Sequence, residues 1–240
     1  MKTLMVTGAG RGLGLAITER VLREGYRVIG IGRTLTEDYQ HLMAVQHTNQ
    51  THFYPYDLND IEGIPALMAE ITRQHGALYG LINNAGIGRD GILATMHQQD
   101  INAVLRVNLH APIVLSKFAC RSMLRQQSGR IINIASIIAT TGFNGLSVYG
   151  ATKAGLIGFS RSLARELGKA RITVNCIAPG FIATEMTAAL AGDQLESVRR
   201  RSPLGLAEPK DIAGAVAYLL SDDAHHITGT TITVDGGSTA

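Results

Sequence analysis

The sequence predicts an α/β fold, a parallel sheet wound on both faces by helices. Two observations predict it. Short β-branched runs alternate with longer helical patterns, which is the rhythm of right-handed βαβ units, and the first run leads directly into a glycine-rich turn. With 240 residues, 45% of them hydrophobic and 17% charged, the chain can bury a large core in one α/β unit, so residues 1–240 are expected to form one domain.

The strands are expected at 3–7, 27–31, 51–56, 78–83, 130–135, 173–178 and 230–234, with helices between them. Two helical segments stand out because apolar residues recur at three and four: 101–124, and 149–167 with Leu156, Phe159 and Leu163 on one stripe. Both are longer than a crossover needs, which points to an interface. The stretch 186–209 is the least regular, with Gly192, Pro203, Gly205 and Pro209, and reads as a mobile flap or short helices over a site.

Composition narrows the function classes. No stretch reads as apolar for long enough to span a bilayer, and the first residues show no secretory pattern, so a soluble cytoplasmic protein is expected. Cys120 and Cys176 lie far apart in apolar stretches, as buried thiols of a reducing compartment would. A net charge of +3 lacks the dense basic stripe of a nucleic-acid binder; the run Arg199, Arg200, Arg201 is the local exception. Asp222, Asp223, His225 and His226 cluster without a ligand spacing and read as surface residues, so no metal is expected.

The turn after the first strand is Thr7-Gly8-Ala9-Gly10-Arg11-Gly12-Leu13-Gly14, and it opens a helix with Leu15, Ala16, Ile17 and Val21 at inward spacing. Glycines let backbone approach a pyrophosphate closely, and a helix N-terminus offers N–H groups and the positive end of its dipole. The alternative is a tight turn that only packs the helix on the sheet. The spacing, Gly-x-x-x-Gly-x-Gly, differs from the usual Gly-x-Gly-x-x-Gly. The second strand ends in Gly32-Arg33-Thr34, where a dinucleotide site selective for NAD would place a carboxylate on the ribose. Arg33, with Arg11, can instead neutralise a 2′-phosphate, so the expected cofactor is NADPH. Glu37 and Asp38 lie close enough in sequence to keep NAD open as an alternative.

Tyr149 and Lys153 are four residues apart at the start of a helix, so both project from one face toward the same ligand. An adjacent ammonium favours the phenolate, which is the shift a tyrosine needs to exchange protons near neutral pH. Ser136 ends a strand thirteen residues earlier, where its hydroxyl can orient a carbonyl oxygen or simply cap the strand.

With these residues in place, the chain resembles the short-chain dehydrogenase/reductase family over its whole length. The matches are the glycine turn, Asp57, Asn83-Asn84-Ala85-Gly86, Asn108, Ser136, Tyr149/Lys153 and Pro179-Gly180, in family order. The resemblance implies a Rossmann-like sheet of seven strands. It implies Tyr149 as proton donor, Ser136 on the substrate oxygen, Lys153 on the nicotinamide ribose, and Asn108 holding through its backbone a water that relays protons to Lys153. Gly8, Gly10, Arg11, Gly12, Leu13 and Gly14 would cradle the phosphates. Asp57 and Leu58 would flank the adenine, Asn84, Ala85 and Gly86 would line the cofactor, and Ile182 and Thr184 would hold the carboxamide. Asn83 and Asn84 have a second reading, as ties between neighbouring strands.

Within the family the chain is similar to bacterial 3-oxoacyl-(acyl-carrier-protein) reductases, through 84–93, 149–160 and 178–187. That likeness implies NADPH-dependent reduction of a β-keto acyl thioester to the (3R)-hydroxyacyl product in fatty acid or related biosynthesis. It also implies a homotetramer joined through the long helices and last strand. Two positions depart: where such reductases carry surface arginines, this chain has Gln127 and Ala170, with Arg125, Lys169 and Arg171 nearby. Reduction of acetoacetyl-CoA or a small ketone would use the same residues, and a non-catalytic NADPH sensor or scaffold would share the fold.

Overall fold

A computed structural model of the chain describes residues 1–45, 50–182 and 199–240. Its strands are β1 (Thr3–Thr7), β2 (Arg27–Gly32), β3 (Thr51–Pro55), β4 (Gly80–Asn83), β5 (Gly129–Ile134), β6 (Ile172–Pro179) and β7 (Thr231–Val234). They form one seven-stranded sheet in the order β3-β2-β1-β4-β5-β6-β7, every pair parallel. The chain lays strands outward from β1 to β3, then returns to start β4 on the other side of β1. That reversal opens a crevice at the carboxyl ends of β1 and β4, where ligands of open α/β sheets bind.

Every residue of β1, β4, β5 and β6 is buried, because helices cover both faces. On one face lie α1 (Gly12–Arg23) and the helix Pro209–Leu220, with Ile17, Val21, Ile212 and Val216 in a core with Leu4, Val6 and Ile82. On the other, α3 (Ile64–His75), α5 (Ala111–Gln126) and α7 (Ser147–Leu167) pack Ile71, Leu115 and Leu167 against Met5, Leu81 and Ile131. The other α-helices among the described residues are α2 (Glu37–Val45), α4 (Gln98–Leu105) and the short α6 (Ile138–Thr141), and Pro209–Leu220 is α8. Pro209 suits the first position of α8, and Asp211 Oδ2 accepts the Glu208 N–H at 2.8 Å.

The strands lie where the sequence predicts, with ends displaced by at most two residues. The predicted helix over 101–124 is different. It is α4 and α5 joined by a π-helical turn, Arg106–His110, with Asn108 fully buried at its centre. A π turn widens the helix and detaches local backbone groups from the regular i→i−4 ladder, which is why such turns recur at functional sites. A second correction follows. The joined run Gln98–Gln126 is long and apolar enough to cross a membrane by length and composition, with an 18-residue window of mean hydropathy 1.2, half of it buried in the protein. Both cysteines are buried and unpaired.

Candidate active site

The glycine turn sits at the carboxyl end of β1 and holds its shape through residues only glycine can supply. A Cβ on Gly14 would lie 1.9 Å from the Gly8 carbonyl oxygen, and Gly8 takes a φ of +66°. Helix α1 then begins with Arg11 extended, no side chain capping its N-terminus and no acidic residue in its first turn. Orphan N–H groups and a dipole end free of carboxylate are what a phosphate requires. Thr36, which the sequence reading passes over, closes the turn from the β2 side. Its Oγ1 donates to the Gly10 carbonyl at 2.5 Å and accepts the Tyr39 N–H at 3.3 Å.

Arg33 follows β2 directly and is exposed on the same edge of the sheet. Asp38 instead lines a shallow hollow with Glu19, Arg23 and His41, beside the later turns of α1. Of the two carboxylates that keep NAD open, this one faces away from the start of α1. At the end of β3, Asp57 Oδ1 accepts the Asn59 N–H at 2.9 Å, holding a turn in which Leu58 is buried.

The two asparagines at the end of β4, Asn83 within it and Asn84 just after, both tie strands. Asn84 Nδ2 donates to the carbonyls of Thr7 (2.9 Å) and Gly8 (3.3 Å), while Thr7 Oγ1 accepts the N–H groups of Asn84 and Ala85, each at 3.0 Å. Asn83 Nδ2 donates to Asn133 Oδ1 at 2.7 Å and to Ser116 Oγ at 3.3 Å. Asn133 Nδ2 in turn donates to Ser160 Oγ on α7 at 2.7 Å. A buried polar chain therefore links the strand beside the glycine turn to the helix that carries Tyr149 and Lys153.

At the end of β5 the structure brings Ser136, Tyr149, Lys153 and Asn108 together. Ser136 stands close enough to the Tyr149 phenol to draw its pKa down, and Ser136 Oγ accepts the Ile138 N–H at 3.2 Å. Lys153 Nζ lies 5.6 Å from the centre of the Tyr149 ring and donates to the Ile134 carbonyl at 2.7 Å. A Cβ on Gly86 would stand 3.5 Å from both Lys153 Nζ and Asn108 Oδ1, so all three border one space. The Asn108 side chain is clamped. Oδ1 accepts the Ile87 N–H at 2.8 Å and Nδ2 donates to the Ile87 carbonyl at 2.9 Å. Thr152 Oγ1, buried between the two active positions of α7, donates to the Tyr149 carbonyl at 2.7 Å.

Electrostatics differ from the sequence expectation in one respect. Burial pushes the Tyr149 phenol above its ordinary pKa, and Ser136 offsets only part of that. Lys153 donates to the Ile134 carbonyl and is itself desolvated: burial takes it down to about 8. The phenol thus holds its proton at neutral pH. Pro179 and Gly180, at the end of β6, reach the same edge, Gly180 N–H donating to Val234 at 2.9 Å, and Ile182 is buried beside Ala207. Thr184 and most of the stretch read as a flap, 186–198, lie outside the described residues.

A family profile described as enoyl-(acyl carrier protein) reductase matches residues 8–239. The chain is 42% identical over 237 residues to the 3-oxoacyl-(acyl-carrier-protein) reductase FabG of Haemophilus influenzae, covering 98% of this chain and 97% of that one. It is 42% identical to that of Escherichia coli (98% and 96%) and 39% identical to that of Staphylococcus aureus (98% and 97%). The chain belongs to the short-chain dehydrogenase/reductase family. As a short-chain dehydrogenase/reductase it is an oxidoreductase that works with a nicotinamide cofactor. Its residues fit that group: a glycine cradle with no room for a Cβ at Gly14, an uncapped helix N-terminus, and an exposed arginine at the end of β2. The sequence reading missed Thr36, Asn133 and Ser160. The signal for Asn133 was present, since it interrupts the apolar run Ile131, Ile132 and Ile134.

Proposed function

We propose that this short-chain dehydrogenase/reductase is an NADPH-dependent 3-oxoacyl-(acyl-carrier-protein) reductase, reducing a β-keto acyl thioester to its (3R)-hydroxyacyl product in fatty acid or related acyl-chain biosynthesis. The observation that carries the chemistry is the hydroxyl pair of Ser136 and Tyr149, next to the Lys153 ammonium. Two donors converging on one point are what a carbonyl oxygen needs as it gains negative charge. The substrate class follows from the names of relatives about 40% identical across nearly the whole chain. The family profile's description names an enoyl substrate, but the paired hydroxyls favour a carbonyl.

When bound, the reduced cofactor supplies hydride to the carbonyl carbon. Gly8 to Gly14 and the start of α1 would hold its pyrophosphate, Asp57 and Leu58 its adenine, and Asn84 to Gly86, Pro179, Gly180, Ile182 and Thr184 its nicotinamide half. Ser136 donates to the substrate oxygen and fixes its position. Tyr149, protonated at neutral pH, gives its proton to that oxygen as the C=O bond becomes a C–O single bond. Lys153 holds the ribose hydroxyls and places positive charge beside the phenolate left behind. Asn108, locked on Ile87 within the π turn, keeps the backbone that returns a proton through water.

Arg33 supports the NADPH reading, because a guanidinium on the ribose side favours a 2′-phosphate and a carboxylate there repels one. Arg33→Asp is expected to lower the ratio of kcat/KM with NADPH to that with NADH by about 100-fold. A ratio that does not move removes Arg33 from the cofactor site. The substrate is tested by steady-state rates on one β-keto acyl group carried by acyl carrier protein, by CoA, or presented as a free ketone. The thioesters are expected to lead, and equal rates on the free ketone would exclude the acyl-chain assignment. A homotetramer is supported by the outer face of α4 and α5, where Leu105, Leu109 and Ile113 line an open apolar hollow of about 280 Å³. The two buried thiols suit the cytoplasm.

A further inference from the structure

The loops that follow β4 and β5 carry large apolar side chains that proton transfer does not use. Ile92 and Leu93 are 67% and 55% exposed, and Phe143 is 45% exposed. They lie on two loops that meet backbone to backbone, where the Gly91 N–H donates to the Gly145 carbonyl at 3.0 Å. Gly145 takes a φ of +81°, and its bare α-carbon lies against Gly91. Ile92 and Leu93 follow this contact in the chain, and Phe143 lies two residues before it.

Both loops lead to the reacting groups. Phe143 lies between Ser136 and Tyr149 in the chain, and its turn feeds α7 directly: the Leu146 N–H donates to Phe143, and the Gly150 N–H donates to Leu146. The other loop starts at Gly86, which borders Lys153 and Asn108. Neither 91–96 nor 137–148 contains a charged residue. Arg89, just before the first of these, pairs with Asp100 at 3.4 Å. A margin that is uncharged beyond Arg89 and Asp90 and carries three exposed apolar side chains suits a ligand with a reactive polar head and a hydrocarbon tail.

We propose that Ile92, Leu93 and Phe143 form a rim that receives the hydrocarbon tail of the acyl thioester beyond its β-keto group, and so set a preference for chains longer than acetoacetyl. The proposal rests on the β-keto thioester reading above. The rim sees only the distal carbons, while Ser136 and Tyr149 see only the carbonyl, so the two can be separated by chain length.

The measurement is kcat/KM on 3-oxobutanoyl-CoA and 3-oxodecanoyl-CoA, for the wild type and for the pair Ile92→Ser with Phe143→Ser. The wild type is expected to favour the longer chain, and the long-to-short ratio is expected to fall about tenfold in the double variant, as each methylene loses apolar cover. The milder pair Ile92→Val with Phe143→Leu should lower the ratio less, in the same direction, and decides the matter if the serine pair does not fold. A ratio unchanged by the substitutions, or a wild type that favours the short chain, overturns the rim. A wild type that reduces a free ketone but neither CoA thioester overturns the thioester reading and the rim with it.

Discussion

Tyr149→Phe is expected to lower kcat by about two to four orders of magnitude while leaving the affinity for NADPH within about twofold. The exchange removes one oxygen. The ring keeps its place beside Lys153, so the crevice, the glycine turn and the packing of α7 remain. What disappears is the phenol oxygen beside Ser136 and the proton it carries at neutral pH. Ser136 still donates to the carbonyl oxygen, which accounts for the residual rate. Steady-state turnover together with a fluorescence titration of NADPH separates the two quantities. Turnover within tenfold of the wild type means that the proton comes from another group.

The fold was legible because buried parallel strands leave little ambiguity. Thr3–Thr7 and Ile172–Pro179 are covered on both faces and rich in β-branched and apolar residues, so their positions followed from the sequence, and only the ends of the second moved. The glycine turn was legible for a steric reason, since a side chain at Gly14 would occupy the space of the Gly8 carbonyl. The π turn was not. One widened turn shifts the helical phase by a single residue, and the apolar residues of 101–124 fit either geometry. Polar groups that meet only in three dimensions stayed hidden as well. Asn133 and Ser160 are 27 residues apart, and nothing local in either announces their bond. The state of Tyr149 depended on which of two effects prevailed. Spacing placed an ammonium four residues away, but it could not show that Lys153 donates to the Ile134 carbonyl or that desolvation raises the phenol.

Lys153→Met is expected to abolish most activity and yet stabilise the free protein at neutral pH, by about 2 kcal/mol. The ammonium is buried in this state and binds its proton with a pKa of about 8, against 10.5 for an ordinary lysine. Below pH 8 the folded protein carries the whole cost of that buried charge, on the order of 3 kcal/mol, of which the hydrogen bond to Ile134 that methionine cannot make offsets about one. Between pH 8 and 10.5 the unfolded chain binds more protons at this position than the folded one, so the wild type gains stability as pH rises. The advantage of the methionine variant should therefore shrink through that window and vanish above it. The activity of the wild type runs the opposite way, its kcat/KM falling as pH rises through about 8, because a neutral amine cannot support the phenolate that reduction leaves on Tyr149. Denaturant unfolding of both proteins at pH 7 and pH 10, without cofactor, tests the stability half. A methionine variant less stable than the wild type at pH 7 would show that the ammonium is held by more than the Ile134 carbonyl, and that the enzyme does not store binding strength for its cofactor in a desolvated lysine.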